Sequence, residues 1–541
     1  MTLPARAPRR LALLLLGAAL CARAACAQHH SDPLPADVRL GRVSFEISCR
    51  DGVRPAFNQA VGLLHSFWYD AARRGFEQVL AEDPGCAMAG WGIAMTLWPQ
   101  LNGWPDAAAV ADAERALGNA DQAAERSDRE RAWLHALHRF YDDYTPANAY
   151  PRAQDYAQAM EALSRHYPDD LEAQVFYALA LLAADPPEDV ALSNPRAAYA
   201  VLAPLLRTHP DHPGIAHYLI HACDHPSMAA DGLPAAQRYA QIAPDAPHAL
   251  HMPSHIFARL GLWPQDIRSN LASDAAALRL LGAHHGAENR LHAHEFLEYA
   301  YLQSGADAQA QAVIGWGRGV LPGDVDPRYP NYYPMVQAQY AVLYALETRD
   351  WARAAQLRAP APGNAGSLGL VLLAHAMAAA YQHDVSAARR SAATLAALEK
   401  QEPPPPAGTL GRTLPIEIRA WVAFTQGDFK TAQALLGPLA ERQAQLGKGE
   451  VELPAREMLA QMLLLAGDAA RALHEYEAAL RSDPHRLNGL LGAGHAAELL
   501  DQPQIAAGYY RTLLEQCPNP SGPAQQALAH ARSIARAHAR G

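Results

Sequence analysis

Twelve of the 25 histidines in this 541-residue chain fall between His209 and His294. Within that window His217, His221 and His225 stand at i, i+4 and i+8, and His251 and His255 repeat the i, i+4 step. Four residues of α-helix advance only about 40° around the axis, so each pair shares one face. The pairs are also 34 residues apart, His217 to His251 and His221 to His255. Pro213 and Pro247 keep the same offset, as do Pro210 and Pro244. One structural position is therefore used twice. Imidazoles gathered in this way suit zinc, copper, nickel or iron rather than magnesium or calcium. With a coordination position left open, such an ion supplies a nucleophilic water or redox chemistry. No named catalytic signature accompanies them. His294-Glu295-Phe296-Leu297-Glu298 ends in Glu where a zinc-protease motif has His, and His474-Glu475-Tyr476-Glu477 fails likewise. Gly315, Gly317 and Gly319 lack the strand context of a dinucleotide loop, and neither a nucleophile elbow nor a P-loop is present. Catalytic residues are accordingly unassigned.

The elements that must hold these residues are read from composition and repeats. Hydrophobic residues make up 50% of the chain, charged residues 18% and aromatics only 7%, the apolar content being dominated by Ala and Leu. That mixture fills a core and favours stacked helices over sheets. Near the C-terminus Ala472, Tyr476 and Pro484 are followed by Ala506, Tyr510 and Pro518, and the two prolines are 34 residues apart. Gly467-Asp468 marks the turn between two helices of one unit. Similar signs recur at Ala72, Phe76 and Pro84, at Gly427, Ala432 and Leu436, and around Tyr301 and Gly305. Small Ala lets helices approach, the aromatic four residues on fills the space beside it, and Pro stops the second helix. The period and these residues resemble the tetratricopeptide repeat. The resemblance implies an all-α helical-hairpin solenoid, a superhelix whose N-terminal part is degenerate.

The same resemblance places the histidines. With Pro210 and Pro244 as repeat ends, the pairs fall at the fifth and ninth residues of the first helix, positions that in this family look into a concave ligand-binding groove. His217, His221, His251 and His255 are then expected to project into one groove from helices about 8–10 Å apart. With Gly305 as the next turn, His292 and Glu295 add an imidazole and a carboxylate from a third helix. Three readings of this set stand open: a structural polar layer served by Asp224, Asp245 or Asp266, a metal site, and a metal-free pocket for a peptide or small anion. Pro253 between His251 and His255 starts or kinks a helix, and a late start moves His251 off the shared face. Pro226 ends the preceding helix just after His225, the weakest member of its trio. His65, in the run Leu64-His65-Ser66-Phe67-Trp68-Tyr69, reads as a core or turn residue or as a further groove wall. Tyr329, Tyr332 and Tyr333 crowd an irregular stretch from Pro322 to Pro334 and read as helix packing or a ligand rim.

The remaining features bound compartment and partners. Arg6, Arg9 and Arg10, the apolar run Leu11–Leu20 and Ala25-Cys26-Ala27 form a secretory signal over residues 1–27. Lipid attachment at Cys26 is the alternative, disfavoured by Arg23 where a lipobox wants Leu. No later run reaches the roughly 18 apolar residues of a membrane span, so no transmembrane anchor is expected after cleavage. Export to the periplasm or beyond makes disulfides permissible. Of Cys49, Cys86, Cys223 and Cys517, the pair closest in sequence is Cys49–Cys86. Net charge is −10 and no Lys/Arg run exceeds a pair, so a nucleic-acid partner is not expected. Pro403 to Pro406 divide a degenerate array (28–400) from a regular one (410–541) by a Pro-rich linker at 401–409. The histidine blocks His217–Pro226 and Pro247–Trp263 also resemble those of uncharacterised exported bacterial tetratricopeptide-repeat proteins, which supply no reaction to carry over. Two functions compete, with the enzyme question open. One is an exported scaffold that binds a protein or peptide in its concave groove. The other is a metal-binding protein or metalloenzyme using zinc, copper or iron at His217, His221, His251, His255, His292 and Glu295.

Overall fold

A computed structural model of the chain describes residues 38–538 apart from 102, 125, 282–285, 327–330, 362 and 402–409. The expected signal segment, Tyr329 and the Pro-rich linker beyond Gln401 lie outside the described residues. Asp37–Gly541 is one compact unit. The described residues are helices and turns without a strand, and none of their helices is long and apolar enough to cross a membrane.

Two kinds of helix alternate. The first helix of a hairpin is apolar on nearly every side: all of Ala87–Thr96 is buried, and all of Pro213–Ala222 except His221. The second is amphipathic, as Tyr69–Glu82 burying Ala72, Phe76 and Val79, and Ala469–Ser482 burying Ala472, Tyr476 and Ala479. First helices therefore form an inner layer and second helices an outer one, each helix packing against the next in sequence. Gly305, Gly427 and Gly467, read as turn glycines, all adopt left-handed backbone with φ from +67° to +82°. Tyr476 and Tyr510 fill the expected gaps, lying over Gly492 and Gly494 of the neighbouring helix Leu487–Leu499. The architecture is the tetratricopeptide-like helical-hairpin repeat.

The array winds tightly enough that distant hairpins touch. Arg54–His65 packs on Pro213–Ala222, and Ala287–Gln303 on Leu487–Leu499. Arg486 bolts the second of these contacts. Fully buried, it donates to Glu457 at 2.7 and 3.0 Å, to Glu347 at 2.8 Å and to the Tyr299 hydroxyl. Cys49 and Cys86 form a disulfide that ties the N-terminal extended segment to the start of Ala87–Thr96, while Cys223 and Cys517 are free and buried.

Pro253 kinks the chain without ending its helical course. Pro247–His251 and Pro253–Arg259 meet at Met252, which keeps helical dihedrals (φ −50°, ψ −36°) and donates its N–H to the His248 carbonyl. The helix starts at Pro247, so His251 stays on the face of His255. Tyr332 begins the helix Tyr332–Glu347, and the Tyr333 hydroxyl donates to the Val320 carbonyl, tying that helix to the preceding loop.

A Cβ at position 492 would lie 2.2 Å from the Tyr476 ring, whereas at Gly508, inside the helix Pro503–Gln516, it would meet nothing within 4 Å. Gly492→Ala is expected to cost about 1–3 kcal/mol and Gly508→Ala to add about 0.5–1 kcal/mol, opposite signs readable by urea unfolding.

Candidate functional site: a six-histidine cluster

His217 and His221, one turn apart on Pro213–Ala222, place their Nε2 atoms 3.1 Å apart. His248, at the start of Pro247–His251, brings its Nε2 to 3.1 Å from that of His217. The Nδ1–H of His217 donates to the His65 carbonyl at 2.6 Å, which leaves a lone pair on Nε2. Two of the three separations are thus close to the spacing, about 3.3 Å, that ligands 2.0–2.1 Å from a tetrahedral zinc must have, and all three ligand atoms lie within 4.8 Å of one another. Phe67 walls this group, its ring centroid 4.4 Å from His217 and stacked at 5.6 and 5.5 Å on His221 and His248. Phe67 holds φ at +53°, a left-handed conformation that costs a bulky residue roughly 1–3 kcal/mol.

A second group lies beside the first. The Nε2 atoms of His251 and His255 are 3.0 Å apart, and the His292 ring, from Ala287–Gln303, is 4.4 Å from His251 and 6.1 Å from His255. Ligand atoms of these three lie within 4.8 Å of one another, as do those of His217, His221 and His248. Each ring is anchored through Nδ1: His251 to Asn270 Oδ1 at 2.6 Å, His255 to Asp224 at 2.8 Å and His292 to Glu295 at 2.8 Å. The anchors are themselves held. Asn270 donates to Asp266, Tyr332 to Glu295, and Arg259 to both Asp224 and Glu450. Such outer partners fix the tautomer that presents Nε2 to a metal. Phe296 walls this group at 4.9 Å from His251 and His255.

The electrostatics favour lone pairs over protons. Burial, reinforced by neighbouring imidazoles, pushes His217, His248 and His251 well below the ordinary histidine range and His221 down to about 3. His255 departs from the pattern: burial opposes its charge, but Asp224 and Glu450 raise it to about 10. In the metal-free protein it is a cation clamped between two carboxylates, with Arg259 beside it.

The sequence-predicted residues separate on this geometry. His217, His221, His251, His255 and His292 are brought together. Glu295 sits behind His292 as its Nδ1 partner. His225 turns away to Ser227 and the Gln445 carbonyl. Asp224 serves His255, and Asp266 serves His251 through Asn270, whereas Asp245 pairs with Arg39 and Arg279. His65 is buried, donating to Glu172, which also receives His212, while the Tyr218 hydroxyl reaches its other nitrogen. His248 and Glu450 were missed. His248 had a signal, the i, i+3, i+7 spacing 248–251–255. Glu450 had none, because it arrives from a turn of the array some two hundred residues on.

Helical hairpins carrying the Ala–aromatic–Pro pattern in register build a tetratricopeptide-like helical-repeat fold, here with a histidine cluster between its central hairpins. No family model matches the sequence, and no curated protein is similar to it. Solved structures with some likeness include the human IFIT1 dimer with m7Gppp-AAAA, 12% identical with a TM-score of 0.36 over 79% of this chain and 90% of that one. Yeast Tom70 is 9% identical with a TM-score of 0.31, over 90% of this chain and 96% of its own. The APC/C hetero-tetramer Cut9–Hcn1 is 14% identical with a TM-score of 0.30, over 89% and 96%.

Glu172 accepts from His65 and His212 at 2.9 and 3.0 Å, and those two hold it ionised far below the usual carboxylate range although burial opposes its charge. A depressed carboxyl stabilises the fold above its unfolded value, near 4.5, and loses that contribution as pH falls toward the folded value. Glu172→Gln is expected to cost on the order of 3 kcal/mol at pH 7 and to flatten the acid limb of stability below pH 4.5. Urea unfolding at a series of pH values checks both.

Proposed function

We propose that the protein is an exported helical-repeat protein that binds a transition-metal ion at the histidine cluster. The reading rests on one observation: imidazole Nε2 atoms converge at 3.0–3.1 Å, with the Nδ1 atoms of His217, His251, His255 and His292 tied to oxygen acceptors. A layer built only for packing has no need to face three nitrogens at one another, since one lone pair can satisfy only one N–H. Neutral imidazoles and outer carboxylates suit zinc, copper, nickel or iron. With three histidines to an ion, a fourth position stays open for water or a small ligand. The Cys49–Cys86 disulfide supports an oxidising compartment, in keeping with the signal segment.

A second reading, a protein- or peptide-binding scaffold, is favoured by Leu465 and Leu499. They occupy equivalent positions 34 residues apart and are 46% and 58% exposed, with Ile505 exposed nearby. Peptide-library selection on the full mature chain tests it: enriched peptides should lose binding to a Leu465→Ser/Leu499→Ser variant while metal content is unchanged.

The metal reading is checked by elemental analysis of mature protein purified without a His tag or chelator. Zinc, copper, nickel or iron near stoichiometry is expected, and its loss in a His217, His221, His251 and His255 quadruple alanine variant. Adding the ion to stripped wild type at a hundredfold its Kd is expected to stabilise it by about 2.7 kcal/mol, visible as a rise in Tm. Metal-free protein with no thermal response to any of these ions would sink the reading.

A further inference from the structure

Building on the metal reading, we propose that the cluster is two separate ion sites, one held by His217, His221 and His248 and the other by His251, His255 and His292. Six imidazoles exceed what one tetrahedral ion accepts, and they do not converge on one point. Their ligand atoms fall into two sets, each within 4.8 Å internally. Ring separations alone do not divide the sets, since His248–His251 at 6.1 Å and His221–His255 at 6.4 Å equal His255–His292 and His221–His248 within them; the division lies in where the ligand nitrogens point.

The two sets are built to one plan. Each takes two histidines one helical turn apart from one repeat and a third from the next: 217, 221 and then 248; 251, 255 and then 292. In each, the first histidine is locked through Nδ1 to an uncharged oxygen, the His65 carbonyl in one and the Asn270 amide in the other. In each, a phenylalanine closes one side, Phe67 or Phe296. A single distorted site has no reason to repeat its scaffold, its anchor and its wall. Tandem use of one repeat position accounts for the paired ligands, the 34-residue offset of His217/His221 and His251/His255 being its trace in the sequence, and each pair then has its own anchor and wall from a different part of the array.

The sets differ in charge. The first has only neutral ligands and neutral anchors. The second is backed by Asp224, Glu450 and Glu295, with Arg259 offsetting one of those charges. Once His255 has given up its proton to make room for an ion, six neutral imidazoles carry no compensation for two divalent ions, so most of the balancing charge stands behind the second set. His292, with its side chain 40% exposed, puts that set at the solvent edge. The ligand class is a divalent ion that accepts neutral nitrogen donors, cobalt being the convenient probe for zinc.

Cobalt titration with elemental analysis separates the outcomes. The metal-stripped full mature chain is compared with the His217→Ala/His221→Ala and His251→Ala/His255→Ala variants. The expected result is two ions per wild-type chain and one in each variant, with visible bands of tetrahedral cobalt retained in both. One ion in wild type, lost entirely from either variant, would overturn the two-site arrangement and leave the metal reading intact. No ion in wild type overturns both. His248→Asn and His292→Asn, at half-buried rings, guard against loss of fold. Each is expected to weaken one ion by at least about tenfold while leaving the other and the helical circular dichroism unchanged. Equal weakening of both ions by either substitution would also overturn the proposal.

Discussion

The first histidine group, beside which the second lies, depends on how closely the helix Pro213–Ala222 lies against Arg54–His65. The two are four hairpins apart in sequence and are brought together by the winding of the array. Gly214 permits it: a Cβ there would stand 2.4 Å from the His65 ring, so any larger residue would push the helices apart. Closing that gap puts the His65 carbonyl where it fixes the His217 tautomer, and it seats Phe67, in the turn that follows, on three imidazoles. His65 is consequently more than a core residue. Its ring is held by Glu172 and Tyr218 and its carbonyl orients the first ligand, so the buried carboxylate acts on the cluster through two intermediates.

Burial on this scale would ordinarily be a poor bargain for imidazoles. Desolvation drives them neutral, and neutral rings still need hydrogen-bond partners. The chain answers with a graded set: a backbone carbonyl for His217, an amide for His251, a carboxylate for His292, and for His255 a carboxylate pair strong enough to keep it charged. Asp266 lies one step further out, fully buried. Burial pushes it well above the usual carboxylate range, and it accepts from the asparagine that orients His251. The polar groups thus form layers around the nitrogen cluster, with charge concentrated on the side of Arg259 and Glu450.

Much of this was legible in sequence for a definite reason. A helical repeat fixes which positions are equivalent, so the 34-residue offset of the histidine pairs translated directly into adjacent helices, and Ala472, Tyr476 and Gly467 read as contact, filler and turn. What escaped was set by winding, not by period. Nothing local to Phe67 or His65 tells that the first hairpin will meet the fifth, and Glu450 reaches the cluster only because a loop of a later turn folds back. Pro253 left two courses open, a late helix start or a kink. The kink is the one taken: Met252 absorbs it within helical dihedrals and the shared face survives. Glu295 was read as a ligand type at a plausible place, and its side chain holds a ligand from behind.

The return of Gln445 to Glu450 has a consequence for how the chain reaches this state. His225 meets the Gln445 carbonyl, Arg259 the Lys448 carbonyl and Glu450, across sequence separations of 189 to 220 residues. The hairpins themselves are local and fast to form, as contacts between neighbours are. These bridges close a loop of more than a third of the chain, and they are among the last to be made. During synthesis the central histidines and Asp224 emerge long before the carboxylate that completes their surroundings. For that interval the newborn array exposes a half-built acidic and imidazole-rich face, and its final electrostatic balance is set only when the C-terminal repeats dock.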